Sequence, residues 1–164
     1  MTLDRIHAPM PTRFTLFAPI ACLLGALVAG GCSDGAGRDS AATAIVKERR
    51  DNYRRMGDAY KALKETIETG NPDMALVTRS MRLIRDTGAG QAALFPPGSG
   101  QSSGARTRAL DGVWTEPALF ARRQRDFLAA ADTVLATERV ELGHAFEALT
   151  QACLDCHRDF REKR

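Results

Sequence analysis

The sequence predicts an all-α fold, an antiparallel four-helix bundle. Three observations carry that expectation. Four stretches place apolar residues at steps of three and four, Gly, Asn and Pro punctuate the gaps between them, and alternating strand patterns are absent. Two of the connections are short and one is long, which sets consecutive helices antiparallel.

The bundle does not start at the first residue. Arg5 and Arg13 precede an uncharged apolar run from Phe14 to Gly31 that ends in small residues, the pattern of an export signal. Pro19 and the many Gly and Ala residues make this run a poor membrane-spanning helix, so residues 1–31 are expected to be removed. Ala29-Gly30-Gly31-Cys32 resembles a bacterial lipobox with Ala where Leu is more usual, and it makes Cys32 the expected site of an N-terminal lipid. Residues 32–41 are rich in Gly and polar side chains, as a flexible tether is, and residues 42–164 suffice for one domain. The chain has 23 Lys and Arg against 20 Asp and Glu. Mixed clusters such as Lys47-Glu48-Arg49-Arg50-Asp51 describe solvated helix faces, so no nucleic-acid partner is expected.

The first helix is expected from about Ala42 to Thr69, with Ile45, Arg49, Asn52, Met56, Tyr60, Leu63 and Ile67 along one face and Gly70 ending it. Asn71 is expected to cap a second helix with Pro72 at its first position and Asp73 in its first turn. Its buried face would be Met74, Val77, Met81 and Ile84, ending near Gly88. From Gly88 to Thr115 the chain loses periodicity and fills with Gly, Ser and Pro. A connection of that length predicts that part of it lies against a ligand. Thr115 and Pro117 open the third helix, whose residues Phe120, Phe127, Ala131 and Val134 face the core beside Leu128 and Leu135, as far as Thr137 or Glu138. In the fourth, Leu142, Phe146, Leu149, Cys153, Cys156 and Phe160 form one seam.

That seam carries the chemistry. Cys22 falls in the leader and Cys32 is the lipidation candidate, which leaves Cys153 and Cys156 for the domain. The run Cys153-Leu154-Asp155-Cys156-His157 has the spacing of covalent haem attachment, because residues three and four apart on a helix share a face and present two thiols and an imidazole together. A redox dithiol normally sits at a helix N-terminus, whereas this pair lies in the last turns of the chain. A structural zinc site needs a second pair of ligands, and the domain offers only His144 in addition. The expected cofactor is therefore one covalent haem c, with His157 as its metal ligand.

Around this motif the chain resembles the cytochrome c′ family from about Ile45 to Lys163. The resemblance rests on Cys153-x-x-Cys156-His157-x-x-Phe160-Arg161, on the segment from Arg49 to Leu63, on Phe95-x-Pro97-Gly98-Ser99, and on Ala109-Leu110-x-x-x-Trp114-x-x-Pro117-x-x-Phe120. It implies a periplasmic four-helix bundle, often dimeric, with one haem whose commonly five-coordinate iron binds nitric oxide and carbon monoxide. It places Tyr53 at the distal position, Arg49 and Arg50 where haem propionates are contacted, and Arg161 near the proximal face. Arg50 departs from the Gln usual there. Ser99 and Trp114 are expected to cover the haem edge.

Two functions remain open at this level. In one, a high-spin five-coordinate protein binds small gases behind Tyr53. In the other, Met56 is a sixth ligand and the protein is a low-spin electron-transfer cytochrome. A peroxidase-like enzyme would need a distal general acid or base, and no histidine stands beside Tyr53 and Met56, so no enzymatic activity and no catalytic residue are expected. His144 lies more than three turns from His157 on the same helix and is expected at the surface. The expected partners are a diatomic gas, an electron-transfer protein, a second copy of the chain, and the membrane through a lipid on Cys32.

Overall fold

The structure, a computed structural model, describes residues 34–163, with side chains described from Ala41 onward. The leader, its cleavage and the lipidation of Cys32 lie outside the described residues.

Four long helices build the bundle: α1 (Asp34–Glu68), α2 (Met74–Ala89), α4 (Pro117–Ala136) and α5 (Leu142–Phe160), with a single-turn α3 (Gly112–Thr115) before α4. Among the described residues the only extended pairing is an isolated antiparallel bridge between Ala109 and Arg161. The expected all-α bundle is the observed fold.

Two expectations change at the helix starts. α1 begins at Asp34, so Asp34–Ser40 is helical where a flexible tether was expected. Extending an existing helix needs no new nucleus, no Pro interrupts the run, and Gly35 and Gly37 each cost only about 1 kcal/mol relative to Ala. The N-cap of α2 is Asp73, not Asn71: its backbone is extended (φ −70°, ψ 102°), and its carboxylate accepts from the amides of Ala75 and Leu76 at 2.9 and 3.2 Å. Its negative charge also suits the positive end of the helix. Gly70 takes φ +74°, the left-handed geometry that lets the chain turn from α1 into α2.

α2 packs beside α1 and α4, and α4 beside α5. The main core unites the expected seams, Val77, Met81 and Ile84 of α2, Phe127, Ala131 and Val134 of α4, and Leu142, Phe146 and Leu149 of α5, with Leu63 of α1. Leu63, Met81, Ala131 and Leu149 are fully buried. Each large apolar side chain among them contributes about 1.5–3 kcal/mol by leaving water. α2 and α4 approach closely where Gly88 meets the Phe127 ring, and a Cβ at Gly88 would stand 2.2 Å from that ring.

α1 and α5 meet at the core end through Tyr60, whose ring stacks on Phe146 at 5.1 Å and whose hydroxyl pairs with Thr150 at 2.9 Å. At the other end, which holds the start of α1 and the end of α5, a second cluster forms. Ala109, Val113 and Phe160 are buried there with Phe95, Trp114, Leu119, Phe120 and Cys156 around them. The long loop is thus not structureless: it contains 3₁₀ turns at Gln91–Leu94 and Gln101–Ser103 and then α3, and its aromatic side chains build this second core.

Candidate cofactor site

The last three turns of α5 carry Cys153, Cys156 and His157, all half-buried, with neither cysteine in a disulfide. Leu154 between them points outward and is 55% exposed. Burial pushes the Cys153 thiol up to about 11, with Cys156 as a lesser cause. Burial also raises Cys156, as does the nearby Asp159 carboxylate, while Arg123 opposes the shift. For His157 burial is the main influence and the Arg161 and Arg108 guanidiniums add to it, all lowering its pKa. Each of these influences favours the neutral imidazole, the form that ligates metals.

The turn bearing these groups is fixed from α4. Arg123 donates through Nε to Asp159 at 2.8 Å and lies 3.9 Å from both Asp155 and Asp126. Asp155 also accepts from Arg158 and Gln151. The ties from Arg123 to Asp155 and Asp159 join α4 to α5, the helix that carries both cysteines.

Tyr53 of α1 faces this group. Desolvation pushes its phenol well above the ordinary tyrosine range; the two thiols add to the shift, and Arg49 and Arg161 oppose it. Yet Tyr53 is 38% exposed. Tyr53 is thus desolvated on one side and open to solvent on the other, and Cys153, Cys156, Arg49 and Arg161 all stand near enough to influence its phenol. The donor set fits a haem: two thiols three residues apart, an adjacent imidazole, a facing aromatic ring and the apolar second cluster.

The other expected residues are placed as follows. Arg49 is only 3% exposed. Its guanidinium lies 4.2 Å over the Phe95 ring and donates to Leu94 O, Ser99 O, Ser99 Oγ and Thr107 Oγ1. Arg50 is exposed on the surface of α1. Ser99 is buried and donates through Oγ to Pro96 O at 2.8 Å. Trp114 donates through Nε1 to the carbonyls of Phe95 and Pro96 at 3.0 and 3.1 Å. Met56 packs against the main core. His144 stands at the surface, its side chain 85% exposed and 3.8 Å from Glu147. Sequence reasoning missed Thr107, Arg108 and Arg123, which sit far along the chain from the groups they serve and carry no local spacing signal.

The chain matches the cytochrome C′ family model over residues 44–161. It is 30% identical over 142 residues to the cytochrome c′ of Rhodopseudomonas palustris, covering 85% of this chain and 96% of that relative. The bundle superposes on a nitric oxide complex of a cytochrome c′ variant from Alcaligenes xylosoxidans with a TM-score of 0.67 at 21% identity, covering 75% of this chain and 97% of that one. A carbon monoxide-bound variant from the same organism gives 0.65 at 22% identity, covering 73% and 94%. With two thiols and an imidazole on the last helix of a four-helix bundle, and a match across nearly the whole of that bundle, the chain belongs to the cytochrome c′ family, whose members carry a covalently attached haem c.

Proposed function

We propose that the protein captures diatomic gases such as nitric oxide and carbon monoxide in the periplasm. Cys153 and Cys156 hold the haem, His157 is the single protein ligand to a high-spin five-coordinate iron, and Tyr53 guards the opposite side. When bound, the haem supplies an iron centre that accepts a diatomic ligand at an open axial position. The observation that carries this proposal is the placement of Tyr53 on α1, desolvated beside the two thiols yet partly open to solvent. The phenol sits where it crowds the space beside the thiols, and burial keeps its proton in place, so the phenolate that would itself ligate iron does not form near neutral pH. Met56, the alternative sixth ligand, is one turn away and packs, partly buried, against the main core. That placement supports a filling role over ligation. Relatives of known structure hold nitric oxide and carbon monoxide.

An absorption spectrum of the ferrous holoprotein tests this. High-spin bands that shift sharply on adding carbon monoxide are expected. Sharp low-spin bands indifferent to carbon monoxide would defeat it in favour of electron transfer through a His157 and Met56 pair. Export and a lipid on Cys32 are part of the same proposal, supported by the charged start, apolar run and lipobox-like ending of residues 1–32. Replacing Cys32 with Ser should release the protein from the membrane fraction, and continued membrane retention would count against the lipid.

A further inference from the structure

We infer that Arg49 is a positioning residue: it latches the loop from Leu94 to Thr107 onto α1 and makes that loop a fixed wall between Tyr53 and the cluster that holds Cys156. A guanidinium has five N–H donors in a rigid fork. Here one terminal nitrogen donates to Leu94 O at 3.2 Å and Ser99 Oγ at 3.4 Å, and the other to Ser99 O and Thr107 Oγ1, both at 2.9 Å. Four of the five donors are therefore given to a segment 45 to 58 residues away in sequence. Among the described residues no carboxylate pairs with this buried charge; loop carbonyls and hydroxyls, and the face of Phe95 at 4.2 Å, stand in for the lost water.

The far side of the loop reaches α5. Phe95 packs edge-on against Phe120 at 5.2 Å, Phe120 does the same against Phe160 at 5.2 Å, and this cluster includes Cys156. Contacts thus run unbroken from α1 through the loop to the helix that carries the thiols. Without the latch, Phe95, Ser99 and Thr107 lose their hold on α1 while Trp114 still ties the loop to α3, so the wall should swing outward from the Tyr53 side. The effect on gas access rests on the gas-binding proposal. The latch itself does not.

The test uses the holoprotein with Arg49→Gln, Arg49→Lys, Thr107→Val and the Arg49→Gln/Thr107→Val pair. Exposed Arg106 lies in the loop, and tryptic cleavage after it releases a haem-bearing fragment that can be followed by its colour on a gel. Arg49→Gln should raise the cleavage rate on the order of tenfold, through local opening of a segment that has lost charged hydrogen bonds. Thr107→Val should raise it severalfold. The pair should exceed Arg49→Gln very little, since both changes remove the same bond. Arg49→Lys keeps the charge but not the fork, so it should behave like Arg49→Gln. Carbon monoxide association should quicken in step with loop cleavage. Unchanged cleavage in Arg49→Gln, full rescue by Lys, or simple addition in the pair would overturn the latch. A loosened loop with unaltered carbon monoxide association would overturn its control of access. If Arg49→Gln fails to fold, Thr107→Val and Ser99→Ala carry the same comparison from the loop side. A holoprotein that takes up no carbon monoxide at all would refute the gas-binding proposal, and the cleavage rates would still decide the latch.

Discussion

Tyr53 carries the most direct prediction at the scale of single residues. If its ring crowds the open side of the iron, Tyr53→Ala should speed carbon monoxide association by roughly tenfold, about 1.4 kcal/mol off the barrier, whereas Tyr53→Phe should change it little. Equal rates in all three proteins, measured by flash photolysis, would remove the guard from the mechanism. The phenol also makes a pH prediction. Its pKa is raised by burial, so the fold favours the protonated form, and the stability this gives is complete below the ordinary value of about 10 and is lost as pH rises through the folded value. Tyrosinate absorbance near pH 10 should therefore be the same with and without Tyr53→Phe, and a drop in the Phe variant would show that Tyr53 ionises normally. What the sequence discloses at this scale depends on distance along the chain. Cys153, Cys156 and His157 are legible because helical spacing alone brings them together. Arg49 is legible as a residue of interest, but its acceptors are 45 to 58 residues away, and no local pattern reports that loop carbonyls surround it.

Two glycines in long helices should respond in opposite ways to the same substitution, and the difference belongs to how the elements pack. Gly57 lies in the middle of α1 with open space where a Cβ would stand. Gly57→Ala should stabilise the protein by about 0.5–1 kcal/mol through backbone entropy. Gly88 has the buried Phe127 ring 2.2 Å from the same virtual atom. There the helix-propensity gain of about 1 kcal/mol is outweighed by overpacking of about 1–3 kcal/mol. Denaturant midpoints that move in the same direction for both variants would contradict the close approach of α2 and α4. Asp73→Ala should cost about 1 kcal/mol as the loss of the α2 cap, and Asn71→Ala less, because Asn71 does not cap. The sequence announced the start of α2 with three suitable residues in a row, Asn71, Pro72 and Asp73, and only the backbone conformation at Asp73 selects among them. The early start of α1 was hidden for a related reason: two glycines in seven residues suggest a coil, but a helix already nucleated downstream extends through them.

Across the whole molecule, the bundle divides its labour between two ends. The main core, capped by the Tyr60–Phe146 stack, closes α1 onto α5. The second cluster packs the long loop against α4 and the last turns of α5, beside Cys156. Helical periodicity made the first end readable in advance, since its residues recur at three and four along each helix. The second end draws on Phe95, Ala109, Val113 and Trp114, which follow no period, so only the length of the loop and the family resemblance of Phe95, Ala109 and Trp114 pointed to it. This division predicts that two large truncations, similar in chemistry, separate in their effects. Leu149 is fully buried in the main core, so Leu149→Ala should cost about 2–5 kcal/mol and lower Tm by roughly 10 °C or more. The haem spectrum and the carbon monoxide association rate should remain as in the parent protein at temperatures where the variant is folded. Phe160 is buried in the second cluster, edge-on to Phe120 and beside Cys156. Phe160→Ala should cost about 3–5 kcal/mol, and it should also alter the haem absorption bands and quicken gas association, because the wall next to the attachment site loses its support. Calorimetry and flash photolysis on the two variants decide the matter. If Leu149→Ala disturbs the haem as much as Phe160→Ala does, the two ends are one cooperative core, and the attachment site is held by the bundle as a whole rather than by the loop and its aromatic cluster.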